Sequence, residues 1–454
     1  MRSVPTWVFL LCLLTGLLLM VAFGWVVRSN TMGIPRFGAV GEAAVEVATF
    51  PDTARRALKE LKQQVDGSFK DHAIAVKRDP ELDFSGLTPI VSADAALPGL
   101  MLRGDTGRAL PGWRLLAGTF GLDGDVKNAA LLLAPDLSVA RVWVLEEIQV
   151  GDVPMKPRYR KFPHGIDITR DGSIVFTYDG SISLQKFNAC GGRDWAIPGH
   201  YHHAVTLTED QRHVWTFNDY QSLGKVRVAD GEVVQEIPVF DIIDANPMID
   251  ILEMRMEHST DHGVNSRDTE GRWMADPHHF NDVDPLPPSL VDRFPMFEEE
   301  DLLVSVRSLN LVFVLDPDDL KVKWWRAGAT RRQHDPDWTE DGEILVFDNR
   351  MSMDDSRIVA FDPASMAVRT VLDGDGYDFY TRVRGKQQLM PDGSLAVTSP
   401  QQGRAFERAP DGTLALELIN LKPGGTDQVY TLSELKWLPT DYFDKEAFTC
   451  PTPG

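Results

Sequence analysis

One turn recurs along the chain and limits what it can fold into. Eight residues end on an aspartate, and a short apolar strand follows. HGIDITRD (164–171) precedes GSIVFTYD, HAVTLTED (203–210) precedes QRHVWTFND, HDPDWTED (334–341) precedes GEILVFDN, and GKQQLMPD (385–392) precedes GSLAVTSP. AALLLAPD (129–136) joins the set. HFNDVDPL (279–286) opens a sixth copy, whose strand DLLVSVRS resumes at 301 after PPSLVDRFPMFEEE. Most copies run on into a further strand and an Asp-Pro or Asp-Gly turn, as in LVFVLDPDDLKVKWWRAG. Each unit therefore supplies about four strands, and the turns are 35 to 51 residues apart except where residues 230–300 carry an insertion. Units of that size without helical periodicity are the mark of a β-propeller, whereas a helical solenoid needs a 3.6-residue pattern. The expected fold is all-β, a six-bladed β-propeller. A seventh blade would need residues 86–120 or the C-terminal TLSELKWLP to form one. Reading TLSELKWLP as a closing strand keeps six.

The N-terminus is of another kind. Val4–Val27 holds no charge, and as a helix it spans roughly 36 Å, enough to cross a bilayer. No Ala-x-Ala-like cleavage site follows, so the segment reads as an uncleaved membrane anchor. Arg2 lies on one side and Arg28 and Arg36 on the other, which barely decides orientation. A short stub before a first apolar run stays inside, which puts the remainder outside the cytoplasm, on the periplasmic side. Residues 53–78 have helical periodicity and read as a short juxtamembrane helix. The expected division is 1–30 anchor, 31–110 juxtamembrane helix and linker, and 111–454 propeller, with an acidic, Met-rich loop inserted at about 239–276 over one face. Net charge is −21, from 67 acidic and 46 basic residues, which argues against nucleic acid as a partner. Cys12 lies in the anchor. Cys190 and Cys450 are the only cysteines beyond it, either one bridge or two separate thiols.

Four of the six repeats open with histidine in one register: His164, His203, His279 and His334; the other two have Ala129 and Gly385 there. Equivalent positions of successive blades lie on a ring about the propeller axis, so four imidazoles are expected at one axial pocket. A histidine at a strand start can equally cap a turn. His202 and His278 precede two of the four, and one of each pair must point away. Asn281 stands two residues after His279, and Arg307 ends the strand of the same blade. Arginine is always charged and its planar fork suits tetrahedral oxyanions, so the group reads as an anion pocket. Asp335 and Asp337 offer the alternative of a metal site, but Arg307 is an awkward neighbour for a cation, and no His-Glu-x-x-His spacing occurs. No metal and no cofactor is expected.

PHHFNDVDP, DLLVSVRSLNLVFVLDP, KVKWWRAG and RRQHDPDWTEDGEILVFDN resemble, in order, the core of the bacterial arylsulfate sulfotransferase family, over about residues 160–400. The resemblance implies a six-bladed propeller that moves a sulfuryl group from an aryl sulfate to a phenol, without a nucleotide donor, through a covalent sulfohistidine. By position it implies His334 as nucleophile, His279 with Asn281 as the His-x-Asn pair, and Arg307 as the sulfate-binding arginine. It implies His203 as a further active-site histidine, with His202 as the alternative. His164 has no counterpart and rests on the repeat. Departures are the Asp-Val-Asp-Pro tract after Asn281, the insertion before Arg307, and the anchor. They bear on substrate choice more than on chemistry. Two other readings stay open: a non-catalytic propeller that binds an anion or sugar, and a metal-dependent hydrolase or lyase using the same ring.

Overall fold

The structure, a computed structural model, describes residues 5–31, 36–66, 75–90, 96–146, 148, 150–151, 162–178, 183–219, 221–252, 278–424 and 427–450. They form two units, an N-terminal helical pair and a β-rich body from residue 75 onward.

The first unit contains α1 (Thr6–Thr31) and α2 (Gly38–Asp66). α1 is long and apolar enough to span a bilayer; a signal sequence shares that character. The Trp25 ring meets Phe37 edge-on at 5.1 Å, at the turn between the two helices. The helix expected over 53–78 begins earlier, at Gly38, and its last residues are not helical. Ala75–Lys77 is a strand paired with Gln428–Tyr430, and residues 67–74 lie outside the described residues.

The second unit is a six-bladed propeller. Each blade is an antiparallel sheet, and the innermost strands are Leu432–Leu438, Pro163–Ile168, His202–Leu207, Phe280–Pro285, His334–Trp338 and Lys386–Leu389, blades one to six. Blade one takes its inner strand from the C-terminus and its other three from Trp113–Leu122, Asp125–Leu133 and Val139–Val144. TLSELKWLP is thus the closing strand, and the ring is completed by pairing Leu432–Leu438 with Trp113–Leu122. Blade six gains two outer strands, Leu100–Arg103 and Thr88–Pro89. The expected start of the body at 111 is therefore too late. Ile90, Leu97 and Leu100 are buried between blades six and one, in a stretch whose apolar residues follow no clear period.

The blades are held by side chains of alternating sense. In blade five Ile344 and Val346 pack toward blade four, while Leu345 and Phe347 pack toward blade six. In blade four Leu302 and Val304 face blade three, and Leu303 faces blade five. This is the two-residue period of a strand buried on both faces. Among the described residues the buried apolar side chains fall into six clusters, one at each blade–blade boundary.

The recurrent aspartate makes the hairpins. Asp171 Oδ1 accepts the Ser173 N–H at 2.9 Å, Asp210 Oδ1 accepts that of Arg212 at 3.0 Å, and Asp392 Oδ1 that of Ser394 at 2.9 Å. An aspartate that bonds the backbone two residues on nucleates a turn. Asp136 does the same for Ser138 at 3.0 Å, but its turn joins the third and fourth strands of blade one, not the first and second. Ala129 therefore lies in an outer strand and is not at the ring position. Blade one fills that position from the closing strand.

The insertion is not simply a loop. Its first part contains α3 (Val239–Ala245), whose Val239 and Ile242 are buried at the boundary of blades three and four. Residues 253–277 of it lie outside the described residues. The 287–300 interruption forms a short 3₁₀ helix, Pro288–Arg293, and sets Phe294 and Phe297 against the Trp338 ring at 4.7 and 5.4 Å.

Candidate active site

The inner strands break register at the ring position. The pairing shifts at Pro163/Gly165, His202/Val205, Phe280/Asp282, His334/Asp337 and Leu432/Glu434. His203, His279 and Asp335 have φ of 61°, 55° and 53°, in the left-handed region that non-glycine residues seldom occupy. Bulges of this kind turn a side chain out of the strict alternation, and strained backbone gathers at functional sites. At the sixth position Gly385 has φ 118°, and a Cβ there would meet the Phe347 ring at 2.6 Å. Only glycine fits, which explains why this repeat carries no histidine.

Three of the four ring imidazoles, His164, His203 and His334, line one narrow cavity; His279 packs against His203, and neither it nor Arg307 is among the cavity's lining residues. His164 and His203 meet edge-on with centroids 4.4 Å apart, and His203 meets His279 at 4.9 Å. A narrow cavity is lined by His164, His203, Asn281, His334, Arg384 and Lys386, among others. His202 does not line it. Its Nε2 lies 2.8 Å from the Asp219 carbonyl oxygen, its Nδ1 2.5 Å from His203 Nδ1, and its ring stacks on Phe217, so it buttresses His203. His278 is turned to the Leu252 carbonyl, with Nε2 at 2.7 Å.

His334 is held at both nitrogens. Nδ1 lies 2.6 Å from Asn349 Oδ1, and the Arg384 N–H donates to Nε2 at 3.1 Å. Burial holds its pKa well below the ordinary imidazole value, and the Arg307 charge pushes the same way. The backbone N–H of Arg307 donates to the His279 carbonyl at 3.0 Å, and its Nη2 lies 3.7 Å from Met351 Sδ. Burial likewise depresses His203, with the neighbouring imidazoles adding to it, and His164, with Arg384 adding to it. Three imidazoles held toward their neutral form, with Arg384 and Lys386 lining the same cavity, suit an anion better than a cation. Asn281 Nδ2 donates to the Gln333 carbonyl at 2.7 Å, and its buried Oδ1 has no hydrogen-bond partner among the described residues.

Beyond the ring the axis opens into an acidic cavity of about 680 Å³, lined by Asp167, Asp282, Asp284, Asp337, Glu434 and Lys436 among others. Lys386 and Asp335 border both cavities and pair with each other, and Lys386 also reaches Asp282 at 3.4 Å. Burial pushes the Asp282 and Glu434 carboxyls up to about 7.

The structure adds residues that the motifs do not mark. Arg384 lies immediately before the repeat position Gly385, so the repeat pointed within one residue of it; its guanidinium sits 3.5 Å from the Phe162 ring centroid. Asn349 follows the second strand of blade five and carries no repeat signal. Cys190 and Cys450 are joined by a disulfide, with Cα atoms 5.6 Å apart.

A family model described as Arylsulfotransferase (ASST) matches residues 195–421. No curated protein matches the chain. Among solved structures, the chain is similar to a protein of unknown function from Bacteroides caccae at 13% identity, covering 72% of this chain and 98% of that one, with a TM-score of 0.46. It is also similar to a streptogramin B lyase at 12% identity, covering 76% and 99%, with a TM-score of 0.41. A virginiamycin B lyase from Staphylococcus aureus gives 12% identity over 61% and 84%, with a TM-score of 0.34.

Proposed function

Because the chain belongs to the arylsulfotransferase (ASST) family, we propose that it moves a sulfuryl group from an aryl sulfate to a phenol, with His334 as the covalent carrier. No nucleotide donor takes part. The observation that carries this reading is the state of His334: buried, neutral, with an Nε2 lone pair at the ring and the Arg307 charge acting on it.

The chemistry proceeds in two halves. The donor's sulfate enters beside Arg307 and displaces the Arg384 N–H from the Nε2 lone pair. Nε2 attacks sulfur, the bond from sulfur to the aryl oxygen breaks, and the aryl oxide leaves with the electron pair. A phenol then attacks the same sulfur, and the pair returns to Nε2. Dividing one hard transfer into two easier ones is the advantage of a covalent carrier. Arg307, Asn281 and the freed Arg384 N–H serve the equatorial oxygens, where charge grows. Asn281 does so through its second Nδ2 proton, since the first is held by Gln333. His203 or His279 takes the phenol's proton as general base.

We place the propeller outside the cytoplasm, on the periplasmic side, tethered by α1 as an uncleaved single-pass anchor. The span of α1 and the Cys190–Cys450 bond support this, since disulfides persist in oxidising compartments.

A screen of aryl sulfate donors against phenols, with wild type beside His334→Ala, tests the activity. Wild type should transfer and yield a sulfated peptide spanning His334 by mass spectrometry, and His334→Ala should do neither. Arg307→Ala should lower kcat about 10²–10³-fold, the loss of one oxyanion contact. A folded wild type that transfers from no aryl sulfate and forms no adduct would remove the proposal.

A further inference from the structure

Asn349 is fully buried one residue beyond the strand Ile344–Asp348. Its Oδ1 faces His334 Nδ1 at 2.6 Å, and its Nδ2 donates to the carbonyl oxygens of Thr381, at 2.9 Å, and Arg384. Both amide protons thus meet carbonyls. Turning the amide over would set Oδ1 against two carbonyl oxygens, so its surroundings decide its orientation. An amide oxygen only accepts, and therefore Nδ1 carries the proton. The Arg384 N–H, 3.1 Å from Nε2, requires a lone pair there. Two contacts from different elements give the same tautomer.

A carboxylate is available next door and is kept away. Asp348 Oδ1 accepts the Arg331 N–H at 2.7 Å, and its Oδ2 accepts from Arg357 Nε at 2.9 Å. The ring faces a neutral amide, which has no basicity, in place of a group that would accept its proton.

Resting on the sulfotransferase reading above, we propose that Asn349 is a positioning residue that keeps the proton on Nδ1 of His334 through both half-reactions. In the first, Nε2 gives its lone pair to sulfur, the aryl oxide departs with the S–O pair, and the retained Nδ1 proton leaves the sulfated ring a cation. In the second, the phenol oxygen bonds to sulfur and the N–S pair returns to a positively charged ring. The phenol proton passes to a neighbouring imidazole or to water. The cationic ring is the better leaving group, so the amide speeds release from the enzyme.

The test uses the full chain in detergent with ¹⁵N-labelled histidine. The His334 resonance, assigned by its loss in His334→Ala, should report a proton on Nδ1. Asn349→Ala should give mixed tautomers and lower kcat about 10–100-fold at an unchanged KM, the usual scale for losing an orienting partner. Asn349→Asp can draw off the Nδ1 proton. It should keep the burst of first product while the sulfated enzyme accumulates. A wild-type proton on Nε2 overturns the assignment, as does an Asp variant that turns over without accumulating adduct. Should Asn349→Ala not fold, the wild-type resonance and the Asp variant still decide. A ring protonated on Nδ1 in an enzyme that transfers from no aryl sulfate would remove the sulfotransferase reading and leave the tautomer standing.

Discussion

The backbone N–H of Arg384 donates to Nε2 of His334 at 3.1 Å, so the first residue of one blade's inner strand is capped by the loop that leads into the next blade. The contact crosses a blade boundary. It presents an imidazole with no proton on Nε2, and burial together with Arg307 keeps the ring from gaining one.

That state has a kinetic signature. An ordinary imidazole loses half its free base at pH 6.5, and the His334 value lies well below this. The base form therefore persists on acidification. The pH profile of kcat/KM should stay level from about pH 8 to 6, with any acid limb lower. A limb centred near 6.5 would show that His334 titrates as if in water, and the proposed carrier would lose its main support.

The axial carboxylates give a prediction for stability. Glu434 titrates at about 7 in the folded chain against 4.5 as an unperturbed side chain, raised by burial. Between those values the folded state holds a proton that the unfolded state has lost, so this group's contribution falls as pH rises from 4.5 to 7. Glutamine mimics the protonated form at every pH. Glu434→Gln should match wild type below pH 4.5 and exceed it above pH 7, by up to about 3 kcal/mol. Chemical unfolding at the two ends of that window measures it, and equal stability at high pH would contradict the burial argument.

The Cys190–Cys450 bond closes a loop of 260 residues and pins the C-terminal segment, where Arg141 Nη2 donates to the Phe448 carbonyl at 2.9 Å and Phe448 packs with Trp113 and Phe443. Cys190→Ser should lower stability by about 2–5 kcal/mol. Alkylation of intact cells before lysis also reports compartment. Both positions should resist modification until reduced. Two free thiols would place the body in the cytoplasm and overturn the proposed topology.

The inner strands of blades two to six were legible because their information is local. An aspartate that bonds the backbone two residues ahead makes its own turn, and the two-residue period marks a strand wherever it lies. The same locality misled at Ala129, since Asp136 uses that turn chemistry for a different hairpin. The strands Leu100–Arg103 and Thr88–Pro89 were missed because they add to the edge of a blade formed some 300 residues later, with little periodicity of their own. Between His202 and His203 the motif could not choose. The positive φ at His203 and the bulge beside it turn one ring to the cavity and the other to the Asp219 carbonyl.

By itself the amino-acid order determined the repeat, the blade count, the apolar N-terminal helix and the four ring histidines, because each depends on spacing along one short stretch. Only the tertiary structure decided the tautomer of His334 and the place of Arg384 and Asn349 beside it. Those depend on which atoms meet across blade boundaries. Such meetings are set by the closure of the whole ring, and no local spacing encodes them.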